Sequence, residues 1–149
     1  ALIFSRQNLP HQQRDASQLA NVTRGGYILQ DCQGVPEAII IATGSEVGIA
    51  QQATETLTKQ GHRVRLVSMP CTELFERQDA DYQAHVLPPS ITARVAVEAA
   101  HTDYWYKYVG LAGKVIGMTD FGASAPANEL FEMYGFTADN IATTVTKLL

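Results

Sequence analysis

The sequence is short of cysteine, of long apolar runs and of positive charge, and each shortage removes a class of function. Cys32 and Cys71 are its two cysteines in 149 residues, and neither belongs to a Cys-x-x-Cys pair. Two isolated cysteines do not make a disulfide framework, so they read as free thiols of a cytoplasmic protein. No apolar run approaches the roughly 18–20 residues that span a bilayer, and Ala1-Leu2-Ile3-Phe4 is too short for a signal peptide and lacks a basic flank. A net charge of -4 offers no basic face for nucleic acid. Neither membrane nor nucleic acid is therefore expected as a partner. The chain also lacks G-x-G-x-x-G and the Gly-Lys-Ser/Thr of a P-loop, and no His/Cys/Asp/Glu grouping has metal-site spacing.

What is present describes a folded domain. With 46% apolar and 17% charged residues, the composition supports one ordinary domain with a real core. The chain starts without methionine, on residues that read as a strand already under way. It is expected to be a domain cut from a longer polypeptide.

Leu2-Ile3-Phe4 reads as the end of a strand, and Gln7 to Gln18 as a connecting segment rich in Gln, Asn, His and Pro. After Gly25-Gly26, Tyr27–Gln30 is expected to be a strand. A turn through Gly34 would join it as a hairpin to the next one, Ala38–Thr43. That second run is almost wholly apolar, as a strand covered on both faces would be. Gly44-Ser45 makes a turn, with Ser45 expected to cap a helix that has Val47, Ala50, Ala53 and Leu57 on one face and Gly61 at its end.

Val64–Ser68, Arg94–Glu98 and Lys114–Met118 read as further strands. Helical pieces are expected around Thr72–Arg77, around Asp79–Val86 and through Tyr104, Trp105 and Tyr108. Pro126 opens a helix that Gly135 closes, with Phe136 packing back on Phe131 in a Schellman arrangement. A last helix opens at Thr137 and lines up Ile141, Val145, Leu148 and Leu149. Strands alternating with helices imply an α/β fold. The expectation is a three-layer α/β/α sandwich on a mostly parallel sheet of about five strands, with one antiparallel edge strand.

In such a sheet the loops after the strands gather at one edge, where ligands bind. They carry Glu46, Cys71, His101 and Asp120, which on position alone could share a crevice. Each also has an ordinary explanation. Gly44 and Ser45 are what a strand-to-helix turn needs, and Cys71 has no sequence neighbour that would depress its pKa. His101 stands alone in a polar loop. Asp120-Phe121-Gly122 lacks the companion loops that give this tripeptide a magnesium role in kinases. The aromatic run Tyr104-Trp105-Tyr106-Lys107-Tyr108 is either an exposed platform or a helix packing its rings on the sheet and at a subunit contact. The large area that aromatics bury favours packing. Arg6, at the end of the opening strand, offers a fork of donors suited to phosphate, and is also compatible with an ordinary surface arginine.

Several segments taken in order resemble one family. They are Ser5-Arg6-Gln7, Ala42-Thr43-Gly44-Ser45-Glu46-Val47, Val67-Ser68-Met69-Pro70 and Val97-Glu98-Ala99. Tyr104-Trp105-Tyr106-Lys107-Tyr108-Val109-Gly110, Phe121-Gly122-Ala123-Ser124-Ala125-Pro126 and Tyr134-Gly135-Phe136-Thr137 follow. The series resembles the C-terminal end of transketolase.

The resemblance implies a parent of three α/β domains, with thiamine diphosphate and a divalent metal (Mg or Ca) held between the first two across a homodimer. The implied reaction moves a two-carbon ketol unit from a ketose phosphate to an aldose phosphate, a step of the pentose phosphate pathway. The cofactor and metal ligands would lie in upstream domains of the same chain. Within this sequence the resemblance carries over one substrate contact, Arg6 on the substrate phosphate, and no catalytic, cofactor or metal residue. It implies that residues 1–7 end the preceding, pyrimidine-binding domain, that 8–25 connect, and that 26–149 form the third domain, structural and dimer-supporting but inactive alone. Two other readings remain: a regulatory binding module using the loops near Glu46, His101 and Asp120, and the third domain of a related synthase or dehydrogenase.

Overall fold

The computed structural model describes residues 4–5 and 7–149. The opening strand expected at Leu2 and Ile3, and the side chain of Arg6, lie outside the described residues. Helices and strands follow in the order α1 (Ala16–Val22), β1 (Tyr27–Gln30), β2 (Ala38–Ala42), α2 (Glu46–Lys59), β3 (Val64–Ser68), α3 (Thr72–Glu76) and α4 (Ala80–Val86). Next come β4 (Arg94–His101), a 3-10 turn at Thr102–Trp105, α5 (Tyr106–Val109), β5 (Lys114–Met118), α6 (Ala127–Met133) and α7 (Ala138–Thr146).

The five strands form one sheet in the order β1-β3-β2-β4-β5. β2 lies parallel to β3 and to β4, and β4 parallel to β5, while β1 runs antiparallel on the edge beside β3. Side chains alternate across a strand, and β2 shows what that does here. Ile40 packs in one core with Val47, Ala50, Leu57, Ile141 and Val145 of α2 and α7. Ile39 and Ile41 pack in the other, with Phe75, Val86, Trp105 and Tyr108. Both faces of the sheet are thus covered, giving the three-layer sandwich that the apolar run predicts. All three isoleucines are wholly buried, which is worth roughly 1.5–3 kcal/mol for each side chain.

The hairpin between β1 and β2 does not form. Tyr27, Ile28 and Gln30 face Ser68, Val67 and Leu66 of β3, because β2 already has a parallel partner on each side. An ion pair holds β1 in its place. Arg65 of β3 is buried and sends Nε and Nη2 to the two Asp31 carboxylate oxygens at 2.9 and 3.0 Å, while its Nη1 donates to the carbonyls of His85 and Val86 at 2.6 and 3.3 Å.

Local chemistry sets several ends differently from expectation. The connecting segment contains α1, which opens on a capping box. Asp15 Oδ1 accepts from the Gln18 amide at 2.8 Å, and Gln18 Oε1 accepts from the Asp15 amide at 3.1 Å. Ser45 has helical backbone angles and does not cap α2; its hydroxyl donates to Glu46 Oε1 at 2.8 Å instead. The aromatic run makes a 3-10 turn and a single α-turn, and Gly110, at φ 69°, ends it. Elsewhere the caps are as expected. The Phe136 amide reaches the Phe131 carbonyl at 2.7 Å and the Gly135 amide reaches Glu132 at 3.1 Å, with the two rings 5.5 Å apart. The Thr137 hydroxyl accepts from the Asn140 amide at 3.2 Å.

Candidate functional site

The carboxyl ends of β2 and β4 lie side by side, with Ala42 paired to Val97, and the chain leaves them in opposite directions. From β2 it passes through α2 to β3 on one side; after β3 it crosses to β4 on the other. In an open α/β sheet this reversal of strand order is where a ligand crevice forms. Gly44, at φ 56°, makes the turn after β2, a left-handed conformation that costs a side-chain-bearing residue strain. It brings Glu46 down into the core at 3% exposure.

Burial pushes the Glu46 carboxyl above its ordinary range. The Ser45 hydroxyl and the Glu46 amide oppose that shift, and the charge of Glu98 adds to it. Glu98 accepts from the Trp105 indole at 2.6 Å, which draws the turn after β4 back onto the sheet. The switch point therefore holds a buried carboxyl and a tryptophan-bound carboxylate. Among the described residues, the hydrogen-bond partners of these two side-chain carboxyls are the Ser45 hydroxyl and the Trp105 indole.

The other loop residues do not join them. His101 Nδ1 accepts from the Asp103 amide at 3.4 Å and lies 3.7 Å from the Asp103 carboxylate, with its side chain largely exposed. Cys71 Sγ meets Glu73 at 3.5 Å, and the Cys71 amide donates to the Gly25 carbonyl. Asp120 Oδ1 accepts from the Phe121 amide at 2.7 Å. Each of the three finds its side-chain partner within two residues, and none is hydrogen-bonded to another or to Glu46. Both cysteines are free. Burial and the neighbouring Asp31 hold the Cys32 thiol above its ordinary pKa, against thiolate chemistry. Among the described residues no three His, Cys, Asp or Glu side chains gather as a metal site would require. The donor set of these residues does not fit a divalent ion.

The aromatic run divides. Trp105 and Tyr108 are buried, with ring centroids 5.5 Å apart, while Tyr104 and Tyr106 are about half exposed. Lys107 Nζ stands 4.8 and 5.0 Å from the rings of Tyr104 and Tyr108 and pairs with Glu76. Tyr108 also donates to Glu76, and Thr72 is hydrogen-bonded to Tyr104 at 2.6 Å. The cluster ties α3 to the turn after β4. It is packing with a polar rim.

The segment leading from Arg6 lies at this same edge. Leu9, Pro10, Gln12 and Arg14 face Gly44, Ser45 and Pro70 across a hollow of about 350 Å³. Sequence reading missed the anchor here, the bond of 2.6 Å from Arg14 Nε to the Tyr27 hydroxyl, and also the crowding of the Glu46 carboxyl by the charge of Glu98, because each involves residues distant in sequence. The Asp15-x-x-Gln18 capping box could have been found in the sequence.

A family model described as the transketolase-like TK C-terminal domain matches residues 25–137. Transketolase 2 of Aliivibrio fischeri is 60% identical over all 149 residues, which make up 22% of that relative. The transketolase structure from Leishmania mexicana superposes with a TM-score of 0.87 at 38% identity, over 96% of this chain and 20% of its own. A Pichia stipitis transketolase in complex with sedoheptulose-7-phosphate gives a TM-score of 0.85 at 35% identity, again over 96% of this chain and 20% of its own. The chain therefore spans about a fifth of the length of the relatives it matches. No helix among the described residues is long and apolar enough to cross a membrane. On the match of the family model across most of its length, the chain belongs to the transketolase C-terminal domain family.

Proposed function

We propose that the chain serves as the third domain of a thiamine-diphosphate-dependent transketolase, giving structural and dimer support and one substrate contact. The observation that carries this reading is the match itself, complete along this chain yet confined to about a fifth of each transketolase. The carboxyl edge agrees with it, since Glu46, His101, Cys71 and Asp120 are joined by no hydrogen bond or ion pair. The family match also counts against an effector module built on those loops and against a related synthase or dehydrogenase.

In this reading residues 1–7 end the preceding domain, 8–25 connect, and 26–149 form the third domain. The upstream domains of a cytoplasmic homodimer hold thiamine diphosphate and a divalent metal, Mg or Ca. The cofactor supplies the carbanion stabilisation that lets a ketol unit pass between sugar phosphates in the pentose phosphate pathway. This chain binds no cofactor and carries out no transfer alone. Its contribution to the substrate is Arg6, whose guanidinium takes the phosphate end of the sugar. The relative captured with sedoheptulose-7-phosphate supports a sugar phosphate as the substrate class.

The test is Arg6→Ala in the full-length polypeptide. A charge-assisted arginine fork lost from a phosphate remote from the reacting carbons should raise KM for phosphorylated substrates roughly 10- to 100-fold, with a smaller fall in kcat. Arg6→Lys should recover part of that loss. A substrate lacking phosphate should barely respond. Equal weakening of both substrate types would remove Arg6 from the phosphate.

A further inference from the structure

The two edges of the sheet are finished differently. At the β1 edge, Gln18 of α1 donates through Nε2 to the carbonyls of Ile28 and Leu29 at 3.2 and 2.7 Å, so a side chain already occupies that border. The β5 edge has no such cover. Lys114–Met118 pairs with β4 alone, and among the described residues no backbone hydrogen bond from a loop or helix reaches it. An open edge presents a row of unpaired amide and carbonyl groups, a template for another strand.

The flanks of β5 carry complementary features. Just before the strand, Leu111 is fully exposed; just after it, Phe121 is 93% exposed, and no other large apolar side chain among the described residues is as open as these two. Phe121 forms one wall of a hollow of about 420 Å³, with Met118, Leu130, Phe131 and Tyr134 around it. The charges at the two ends are opposite. Lys114 is the first residue of the strand and Asp120 lies two past its last; both are exposed, and neither is in an ion pair among the described residues.

We infer that the β5 edge is a docking surface for the β5 edge of a second copy of this chain, with Leu111 of each copy seated in the other's hollow. A two-fold axis places the same strand against itself in the antiparallel sense. Centred on Ile116, the pairing sets Lys114 against Met118 of the second copy and Val115 against its Gly117, which keeps side chains on matching faces. The start of each strand then lies beside the end of its twin. Leu111 meets the Phe121 hollow, and Lys114 lies diagonally across from Asp120. An unrelated segment would have to bring both an apolar knob and an anion; a second copy brings both, twice.

Two five-residue strands make a small contact, below the size that holds a dimer by itself. The inference therefore rests on the homodimer of the reading above, in which the upstream domains add contact and raise the local concentration of the two edges.

The experiment is oxidative cross-linking of the full-length polypeptide, its native cysteines replaced by serine, carrying Leu111→Cys, Phe121→Cys or both. Sedimentation of the polypeptide reports its oligomeric state, and thermal unfolding of each variant checks the fold. A disulfide needs Cα atoms within about 7 Å, whereas antiparallel pairing holds like ends apart by about the ~16 Å length of β5. Neither single variant should link to itself, and the double variant should form a covalent dimer. Adding Lys114→Glu or Asp120→Lys should slow that linking roughly three- to tenfold, and adding both should restore it to within about twofold.

Linking by either single variant, no linking by the double variant, or linking indifferent to the charges at 114 and 120 overturns the pairing. Hydrogen exchange identifies the rival occupant: β5 amides protected without a cross-link mean that an upstream segment covers the edge, which also overturns it. If the polypeptide sediments as a monomer at every concentration, the homodimer fails and the pairing with it. A dimer that does not cross-link removes the pairing alone.

Discussion

Replacing Asp31 with alanine removes the carboxylate partner of the buried Arg65 in the sheet while leaving the sheet's apolar cores untouched. Arg65 keeps its bonds to the carbonyls of His85 and Val86, but Nε and Nη2 lose both carboxylate oxygens. Stripping one partner from a fully buried ion pair costs roughly 3–5 kcal/mol. Here the Arg65 side chain is 9% exposed and Asp31 42%, so water can replace part of what the guanidinium loses. A cost of about 2 kcal/mol follows, between the values for a buried and an exposed pair. For a chain of this length that lowers Tm by about 4–8 °C. The assay is thermal and urea unfolding of the wild type and Asp31→Ala, with Asp31→Asn as the variant that keeps one acceptor and loses less. Because Asp31 also locks β1 onto β3, hydrogen exchange at Tyr27, Ile28 and Gln30 should quicken more than at Ile39–Ile41. A stability change below about 0.5 kcal/mol, the range of ordinary surface substitutions, would refute the claim that this pair fixes the edge strand.

Two further outcomes follow from local geometry. Glu46 has its carboxyl pKa raised by burial, so its contribution to stability is complete below the ordinary glutamate range and is lost as pH rises through the raised value. Glu46→Gln should therefore flatten that decline, gaining on the wild type between pH 4 and pH 8 in a series of unfolding midpoints; a constant difference across the series would contradict the shift. Gly25 has φ 85°, and a Cβ there would meet the Cys71 carbonyl oxygen at 2.2 Å and the Phe75 amide at 2.5 Å. Gly25→Ala should cost at least about 2 kcal/mol, from strain plus collision, and a variant as stable as the wild type in urea would show that the backbone yields there.

The layers of this fold were legible because they are written in local pattern. The unbroken apolar run at Ala38–Ala42, the spacing of Val47, Ala50, Ala53 and Leu57, and the glycine ahead of Phe136 each fix a strand, a face or a helix end within a few residues. Strand partnership is different. Nothing near Tyr27–Gln30 says that β3 rather than β2 lies beside it; the answer sits in Arg65, thirty-four positions from Asp31. The candidate site divides the same way. Loop positions at the carboxyl edge can be read from strand ends, whereas the burial of Glu46 beside Glu98 and the turning of Cys71 toward Gly25 depend on tertiary packing. Ser45 shows a local rule overridden: with its own backbone already helical, its hydroxyl serves the buried carboxyl of Glu46 instead of the helix end. Arg6 stands out in the sequence by its place and its fork of donors, but only the resemblance to a family sets it apart from an ordinary surface arginine.

The central claim, that this chain is a supporting domain whose residues do not themselves perform ketol transfer, meets its most direct test in one assay. Purified 149-residue chain, shown to unfold cooperatively, is mixed with thiamine diphosphate, Mg²⁺, a ketose phosphate and an aldose phosphate, and product sugars are followed beside the full-length polypeptide. The account predicts turnover by the full-length polypeptide and none above the uncatalysed rate by the folded chain. Measurable, saturable transfer by the chain alone would contradict it.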